Sequence, residues 1–418
     1  MRIAVVGGGV AGLYAAWHLA RKHQVVLFER HGRVGGHTDT HVIDNPNGSL
    51  QIDTGFIVFN RQHYPLFSAW LEVLGVAWRE SNMSFGVHSE ISGIEYNATR
   101  LDTLYSQRRN LLRPRFHGMV LDILRFYRRA PELLAKLDDR ITLGEWLAGS
   151  GLGRAFAEEH LVPMAAALWS SPGTDILRFP MRYLLEFMDN HAMLQVNDRP
   201  VWQTIEGGSQ RYVDAALVAF QGEVRLRCPV QRLRRLHQGI EVITAAGREC
   251  FDAAVLACHS DQALALIEAP HRLEAEVLSA FSYQDNDTVL HTDEARMPRR
   301  RKAWASWVVR RDRDAPERSG ISYWMNALQG IPGPIQYIVS LNQTDRIDPQ
   351  RILVRRNYRH PIYTPESRAA QRRIGEISGR DRLHFCGACW GYGFHEDAVR
   401  SARAVIDSIQ PENLAVAV

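Results

Sequence analysis

Near its start the chain reads Ile3-Ala4-Val5-Val6-Gly7-Gly8-Gly9-Val10-Ala11-Gly12, a short apolar run followed by a glycine turn. Apolar residues then recur at helical spacing up to Ala20, and a second apolar strand is predicted from Gln24 to Phe28. In such a unit the first glycine permits the tight turn, the second lets the backbone approach a pyrophosphate, and the third lets the helix pack closely on the strand. The N–H groups at the helix N-terminus favour phosphate. The sequence therefore predicts a Rossmann-like dinucleotide site with contacts at Gly7, Gly9, Val10, Ala11 and Gly12.

An acidic residue closes the second predicted strand. Glu29 stands 17 residues after Gly12, where a carboxylate accepts hydrogen bonds from both ribose hydroxyls. This spacing predicts an adenosine with a free 2′-hydroxyl, and we include the adjacent Arg30 among the predicted cofactor contacts. The spacing alone does not distinguish NAD from FAD.

The segments after Glu29 carry a family resemblance. The chain reads Arg33-Val34-Gly35-Gly36-His37-Thr38, and Asp53-Thr54-Gly55-Phe56 follows a predicted strand. Here the sequence resembles the FAD-dependent flavin amine oxidase superfamily, which also contains protoporphyrinogen oxidases and phytoene-type desaturases. In that superfamily an Arg-x-Gly-Gly-Arg signature wraps the flavin end of FAD, and His37 stands here in place of the last arginine. The resemblance implies cofactor contacts at Arg33, Gly35, Gly36, His37, Thr38, Gly55 and Phe56.

The C-terminal end carries a second signature of the same superfamily. A predicted strand from Leu383 to Gly387 ends in a glycine turn, and the residues from Ala388 to Val399 open a final helix that runs to about Ile409. Such a helix aims its positive N-terminal end at the flavin pyrimidine ring and stabilises the reduced flavin. Phe394 falls where amine oxidases carry one tyrosine of an aromatic cage. The resemblance implies non-covalent FAD, with contacts at Gly387, Phe394, His395, Glu396 and Ala398 and at the backbone of Val230.

The 418-residue chain is long enough for two or three lobes that share large cores. The predicted fold class is α/β, a Rossmann-like FAD-binding domain interleaved with an α+β substrate domain. Changes of pattern place the FAD-binding domain at 1–80, 205–285 and 375–418. The substrate-binding domain takes 81–204 and 286–374.

The basic residues are unevenly placed. The chain carries a formal charge of +4, and only three of its 50 basic residues are lysines, namely Lys22, Lys136 and Lys302. The stretch Arg108 to Arg129 holds seven arginines and one acid, a local charge of +6, which leaves −2 over the other residues. Such a distribution argues against a nucleic-acid partner, whose binding face is broader. After Pro114 the stretch reads as a basic amphipathic helix, either on an anionic membrane surface or as an ordinary solvated face in an arginine-rich protein.

Five cysteines in a chain of this length indicate a reducing compartment. No signal-peptide pattern opens the chain and no apolar run reaches the length of a membrane span, so a cytoplasmic protein is expected, with peripheral attachment to the inner membrane face through the basic stretch. Cys386 and Cys389 have thioredoxin-like spacing, which leaves a flavin-linked disulfide open beside the interpretation as small buried residues. No cluster of residues has metal-ligand spacing.

A narrower resemblance concerns the substrate. Three segments resemble one bacterial subgroup of the superfamily: Gly93 to Asn97, Gln107 to Phe116 and Cys386 to Asp397. This subgroup is associated with cyclopropane-fatty-acid-synthase-like lipid methyltransferases. That similarity implies a lipid substrate, a fatty acyl chain of a membrane phospholipid, desaturated by hydride transfer to flavin N5. The alternatives are an amine oxidase for a small amine or polyamine, and a non-catalytic flavoprotein that partners a lipid methyltransferase.

Two side chains are candidates for handling the proton of this reaction. Lys302 is the one lysine outside the nucleotide helix and the peripheral helical stretch, although it lies in a basic run. His291 lies where a strand of the predicted substrate lobe returns towards the flavin, and an imidazole titrates near neutral pH. Both are predicted catalytic residues, and a structural role hydrogen-bonded to Thr292 or Asp293 is the alternative for His291.

Overall fold

A computed structural model describes residues 1–46, 48–169, 175–195, 198–316 and 319–410. Their strands and helices are numbered here in chain order. The strands are β1 (Arg2–Val6), β2 (Gln24–Phe28), β3 (Thr40–Asn45), β4 (Gly48–Asp53), β5 (Trp78–Glu80), β6 (Phe85–Ser89), β7 (Ile94–Asn97), β8 (Gln203–Ile205), β9 (Glu223–Arg225), β10 (Val230–Leu236), β11 (Gly239–Thr244), β12 (Gly247–Phe251), β13 (Ala253–Leu256), β14 (Ser282–His291), β15 (Trp307–Arg311), β16 (Ser319–Trp324), β17 (Ile338–Leu341), β18 (Ile352–Ile362) and β19 (Leu383–Phe385). The helices are α1 (Val10–Leu19), α2 (Pro65–Val73), α3 (Leu101–Leu104), α4 (Pro114–Lys136), α5 (Leu143–Gly149), α6 (Arg154–Phe156), α7 (Val162–Trp169), α8 (Met181–Asn190), α9 (Gln210–Val218), α10 (Ser260–Leu266), α11 (Arg272–Ser279), α12 (Met325–Leu328), α13 (Pro365–Gln371), α14 (Ile374–Ile377) and α15 (His395–Ile409).

The first of the two large sheets is parallel and has five strands, in the order β19-β13-β1-β2-β9. Successive side chains of β1 point to opposite faces, so Ile3 and Val5 pack under α1, α2, α9 and α15. Ala4 and Val6 pack on the other face, where the antiparallel β10-β11-β12 unit covers the sheet with α10 and α11. Both faces of the sheet are thus buried, as an all-parallel sheet requires. The predicted α/β fold with a Rossmann-like sheet is confirmed.

The second large sheet is mixed and has seven strands, in the order β18-β14-β17-β16-β15-β6-β7. Helices α4, α5, α7 and α8 bury a separate apolar cluster beside it. Strand β14 runs from Ser282 to His291 and so spans the predicted domain boundary at 285/286. The division of the chain into two domains stays a prediction, and its last residues, 411–418, lie outside the described residues.

Two helix boundaries follow from local chemistry. Pro114 occupies the first turn of α4, where its missing N–H costs nothing, and a 3-10 turn at Arg108–Leu112 precedes it. The final helix ends at Ile409 but begins at His395, later than the sequence pattern indicates, because a 3-10 turn occupies Ala388–Trp390. Of the described helices, none combines the length and apolar character that a membrane crossing needs.

Candidate functional site

The first glycine loop lies where β1 and β13 end. Gly7 has a φ of +107°, and a Cβ there would lie 2.7 Å from the Ala257 carbonyl oxygen. A Cβ on Gly12 would overlap the Gly7 carbonyl oxygen, so only glycine lets α1 approach the loop. Among the described residues no side chain caps α1, whose N-cap is Gly9. The N–H groups of its first turn, including those of Val10 and Ala11, are therefore available to an anion.

A second glycine loop packs against the first. The Gly35 N–H donates to the Gly8 carbonyl over 2.8 Å, and a Cβ on Gly36 would lie 3.0 Å from the Gly9 Cα. Arg33 closes this loop, because its guanidinium donates to the carbonyl oxygens of Thr38 (2.6 Å) and Gly36 (3.0 Å). The two loops form one backbone-lined cradle, which we call the glycine cradle (Gly7–Gly12 and Gly35–Gly36).

Glu29 is buried at the end of β2. Its carboxylate accepts hydrogen bonds from the N–H groups of Gly8 and His31, each 2.8 Å, and its remaining lone pairs can accept from ribose hydroxyls. The neighbouring backbone pairs with the chain after β9, since the Cys228 N–H donates to the Glu29 carbonyl over 2.9 Å. This pairing brings the buried Val230 near the end of β2. Arg30 points outward and is exposed.

The N-terminus of α15 meets the far end of the glycine cradle. The His395 ring stacks on Phe56 with centroids 3.6 Å apart. Its Nε2 lies 3.2 Å from the Thr38 hydroxyl and 3.2 Å from the Tyr212 hydroxyl. Burial lowers the pKa of His395 to about 3, so the ring is neutral and has a hydrogen-bonding role. A Cβ on Gly55 would overlap the His37 carbonyl oxygen, so this glycine lets the two segments touch.

Three further predicted contacts hold α15 in place. The Glu396 carboxylate accepts from the N–H groups of Leu66 (3.2 Å) and Phe67 (3.0 Å), at the N-terminus of α2. Ala398 is buried in the cluster between α1 and α15. The Gly387 N–H donates to the Ser401 hydroxyl over 2.9 Å. These residues position the helix, while His395 lies buried at its N-terminus.

Phe394 stands in a wall of rings that the sequence did not predict. Its ring stacks on Phe187 with centroids 4.9 Å apart, and His191 also stacks on Phe187 at 3.9 Å and lies 5.9 Å from the Phe394 ring. His63 in turn stacks on His191 at 4.9 Å. We call these four residues the aromatic wall. No local motif marks His63, Phe187 or His191, because they come from distant parts of the chain and meet only in the fold.

The aromatic wall carries two unprotonated imidazole nitrogens. His191 donates from Nδ1 to the Phe187 carbonyl over 2.9 Å, and His63 donates from Nδ1 to the Asn60 side-chain carbonyl over 2.8 Å. In a neutral ring the other nitrogen, Nε2, is then an acceptor. Burial lowers the pKa of His191 to about 4 and also lowers that of His63. Both rings are therefore neutral near neutral pH.

A second group of histidines surrounds His37. The His259 and His360 rings lie 6.0 Å and 5.3 Å from it, centroid to centroid, and Tyr283 stacks on His259 at 4.3 Å. Burial lowers the pKa of His259 and that of His360 to about 3. Where the superfamily carries an arginine, this chain thus places a cluster of neutral imidazoles. No local sequence pattern groups these three histidines.

Neither predicted catalytic residue lies at this site. Both ring nitrogens of the fully buried His291 are engaged, Nε2 with the Ser340 hydroxyl (2.8 Å) and Nδ1 with the Asp293 N–H (3.1 Å). It lies about 17 Å along β14 from Asn286, a residue of that strand whose side chain contacts His360. Lys302 is exposed and pairs with Asp102 over 3.1 Å. Their catalytic assignment stays a prediction that their surroundings do not support.

The cysteines at the second signature are free and buried. Burial raises the pKa of Cys389 to about 12 and raises that of Cys386 as well. Protonated, buried thiols are poor nucleophiles. The surroundings favour the interpretation as small packed residues over a flavin-linked disulfide.

The cradle fits the group that the sequence implies. A dinucleotide fits a site made of a glycine-lined loop, an uncapped helix N-terminus and a buried carboxylate at the end of β2. The N-terminus of α15, at the far end of the cradle, accommodates the flavin ring. The fold and site define a flavin-dependent oxidoreductase.

Comparison with known proteins gives the family. Residues 10–290 match the model of the flavin containing amine oxidoreductases, and the chain belongs to that family. The predicted superfamily is thereby confirmed. A segment of 86 residues, 20% of this chain, is 34% identical to achacin from Lissachatina fulica, but the match spans only 16% of achacin.

Solved structures share the fold at low identity. The fatty acid isomerase from P. acnes that produces CLA aligns with a TM-score of 0.69 and 14% identity, over 98% of each chain. Cyclohexylamine oxidase from Brevibacterium oxydans aligns with a TM-score of 0.71 and 14% identity, over 98% of this chain and 99% of that one. Putrescine oxidase with bound putrescine aligns with a TM-score of 0.67 and 15% identity, over 99% and 100%.

Proposed function

We propose that the protein binds FAD non-covalently and desaturates a fatty acyl chain of a membrane phospholipid. The observation that carries the lipid part of this proposal is a surface. Five leucines of one segment are exposed: Leu101 (75%), Leu111 (51%), Leu112 (87%), Leu121 (53%) and Leu124 (48%). Exposed apolar side chains this concentrated mark an interaction site on a soluble protein.

Exposed arginines alternate with these leucines along the chain. On α4, Phe116, Met119 and Phe126 face the core, while Leu121 and Leu124 share the outward side with exposed arginines. We call this surface the leucine–arginine face; it comprises the five leucines and Arg108, Arg109, Arg115, Arg125, Arg128 and Arg129. Leucines among arginines are complementary to an anionic bilayer, which offers acyl chains and phosphates at adjacent depths.

The aromatic wall supports an apolar substrate. Bound FAD supplies the hydride acceptor of the reaction. Phe394 and Phe187 offer an apolar surface that excludes water, and Phe394 lacks the phenol of an amine-oxidase cage. In this proposal His191 Nε2, the acceptor nitrogen of the neutral ring, takes the proton that leaves with the hydride. The fatty acid isomerase of the same fold supports an acyl chain as a substrate class.

An anaerobic mixing experiment tests the proposal. FAD-loaded protein is mixed with phospholipid vesicles, flavin absorbance is followed, and the recovered lipids are analysed by mass spectrometry. We expect bleaching of the flavin and acyl chains lighter by two hydrogens. Bleaching by amines but not by phospholipid would instead establish the second candidate, an amine oxidase, which the shared fold with cyclohexylamine oxidase favours. Lipid binding without bleaching would indicate a non-catalytic partner of a lipid methyltransferase.

A further inference from the structure

A cleft of about 580 Å³ lies next to the leucine–arginine face, away from the glycine cradle. The turn between β6 and β7 forms one side of it. The chain before β15 forms another, and the 3-10 turn at Arg108–Leu112 the third. Four arginines line the cleft, namely Arg109, Arg299, Arg300 and Arg313.

The two carboxylates of the cleft are already engaged. Glu95 is buried and accepts from the backbone N–H groups of Arg299 (3.3 Å) and Arg300 (3.2 Å). Glu90 pairs with the guanidinium of Arg310 at 2.5 Å, outside the set of four. The guanidinium charges are therefore in excess, and the cleft attracts an anion.

The arginines are arranged to leave donors free. Arg109 donates one N–H to the Gly93 carbonyl over 2.7 Å, and Arg313 donates one to the Glu90 carbonyl over 3.1 Å. These bonds fix the two side chains at the rim. Within the described part of the chain, the Arg299 and Arg300 side chains have no hydrogen-bond or ion-pair partner. Each guanidinium offers paired donors that match two oxygens of a phosphate.

We infer that this cleft binds the phosphate group of an anionic phospholipid headgroup. Arg109 belongs to the same 3-10 turn as the exposed Leu111 and Leu112. A phosphate in the cleft would then lie beside leucines that insert among acyl chains, which is the order of groups in a lipid. The inference rests on the proposed function, since it assumes that the leucine–arginine face meets a membrane.

The test uses the exposed pair Arg299→Gln/Arg300→Gln. Both substitutions keep the backbone N–H groups that bind Glu95, so the loop of this double variant is expected to fold normally. A matched control, Arg248→Gln/Arg272→Gln, removes the same charge from exposed arginines of β12 and α11. Binding is measured to phosphatidylglycerol vesicles and to vesicles whose surface charge is matched with a carboxylate lipid.

We expect the cleft variant to lose about threefold more affinity for phosphatidylglycerol vesicles than for carboxylate vesicles, with the control near wild type. Equal losses on the two vesicle types, or no loss, would overturn phosphate recognition. Inorganic phosphate and a short-chain, monomeric phosphatidylglycerol are titrated in parallel. Inorganic phosphate binding as tightly as the lipid would overturn the headgroup assignment.

The same titrations separate this inference from the proposed function. Suppose that wild-type protein binds no vesicles but binds the short-chain lipid, and that Arg299→Gln/Arg300→Gln weakens this binding. The membrane-docking proposal is then wrong, and the assignment of the cleft as a phosphate site is kept. If vesicles bind and the flavin bleaches, but the cleft variant matches wild type, the proposed function stands and the cleft assignment fails.

Discussion

The glycine cradle and the aromatic wall meet at the N-terminus of α15, yet they are built differently. The cradle is backbone, and its shape depends on the missing side chains of Gly7, Gly12 and Gly36. The aromatic wall is formed by side chains, and its shape depends on the stacking of the Phe394, Phe187 and His191 rings. An added methyl group at Gly7, Gly12 or Gly36 would clash within the cradle, whereas the wall contributes the chemical groups of its side chains.

The largest effect is therefore expected in the cradle. In Gly12→Val the new side chain meets the Gly7 carbonyl, so the helix must move away from the loop. We expect loss of about 3 kcal/mol or more of stability and purified protein without flavin. Flavin absorbance and thermal unfolding measure both.

A glycine outside the cradle provides the control. Gly118 lies within α4, and a Cβ there meets no atom within 4 Å. Gly118→Ala should raise stability by about 0.5–1 kcal/mol, because alanine is the better helix former, and leave flavin content unchanged. A Gly12→Val protein that retains flavin would show that the cradle does not hold the cofactor.

The wall is tested through its chemistry. His191→Asn keeps an amide N–H near the position of Nδ1 but removes the acceptor at Nε2. We expect flavin reduction by substrate to slow by about 100-fold while the flavin content stays normal. In the wild type, reduction should be independent of pH above about 5 and fall as the pH approaches 4, because protonation of His191, with its pKa of about 4, removes the acceptor. His291→Asn serves as the comparison; if it slows reduction and His191→Asn does not, the sequence-based assignment of His291 is right.

These two regions also differ in what the sequence could reveal. The Gly7–Gly12 part of the cradle is a single short motif. The spacing of Gly7, Gly9 and Gly12 and the position of Glu29 therefore predict it from local chain geometry. The wall joins His63, Phe187 and His191 to Phe394, and no local pattern specifies which rings meet. His291 illustrates the same limit, because a strand pattern indicates its direction but not that Ser340 and Asp293 already occupy its nitrogens.

A smaller effect is expected on the leucine–arginine face. Arg128→Gln/Arg129→Gln removes two exposed charges, each worth about 1 kcal/mol at an anionic bilayer, so vesicle affinity should fall roughly 30-fold. Flavin content and the reduction of flavin by monomeric lipid should not change, since these residues lie outside the cradle and the wall. Co-sedimentation with anionic vesicles measures the loss, and Arg248→Gln/Arg272→Gln again controls for net charge. Equal binding by all three proteins would place the membrane contact elsewhere.

The smallest effect is expected at the glycine turn that follows β19. Cys386 and Cys389 are buried, free and strongly disfavoured as thiolates, so neither can attack a disulfide or the flavin as a ready nucleophile. Cys386→Ala removes one buried sulfur and should cost about 1 kcal/mol of stability, with flavin reduction within twofold of wild type. Stopped-flow reduction in the presence and absence of a dithiol measures this. A dithiol-dependent reduction that Cys386→Ala abolishes would mean that the pair exchanges electrons with the flavin, and this turn would then be a redox site instead of a packed part of the core.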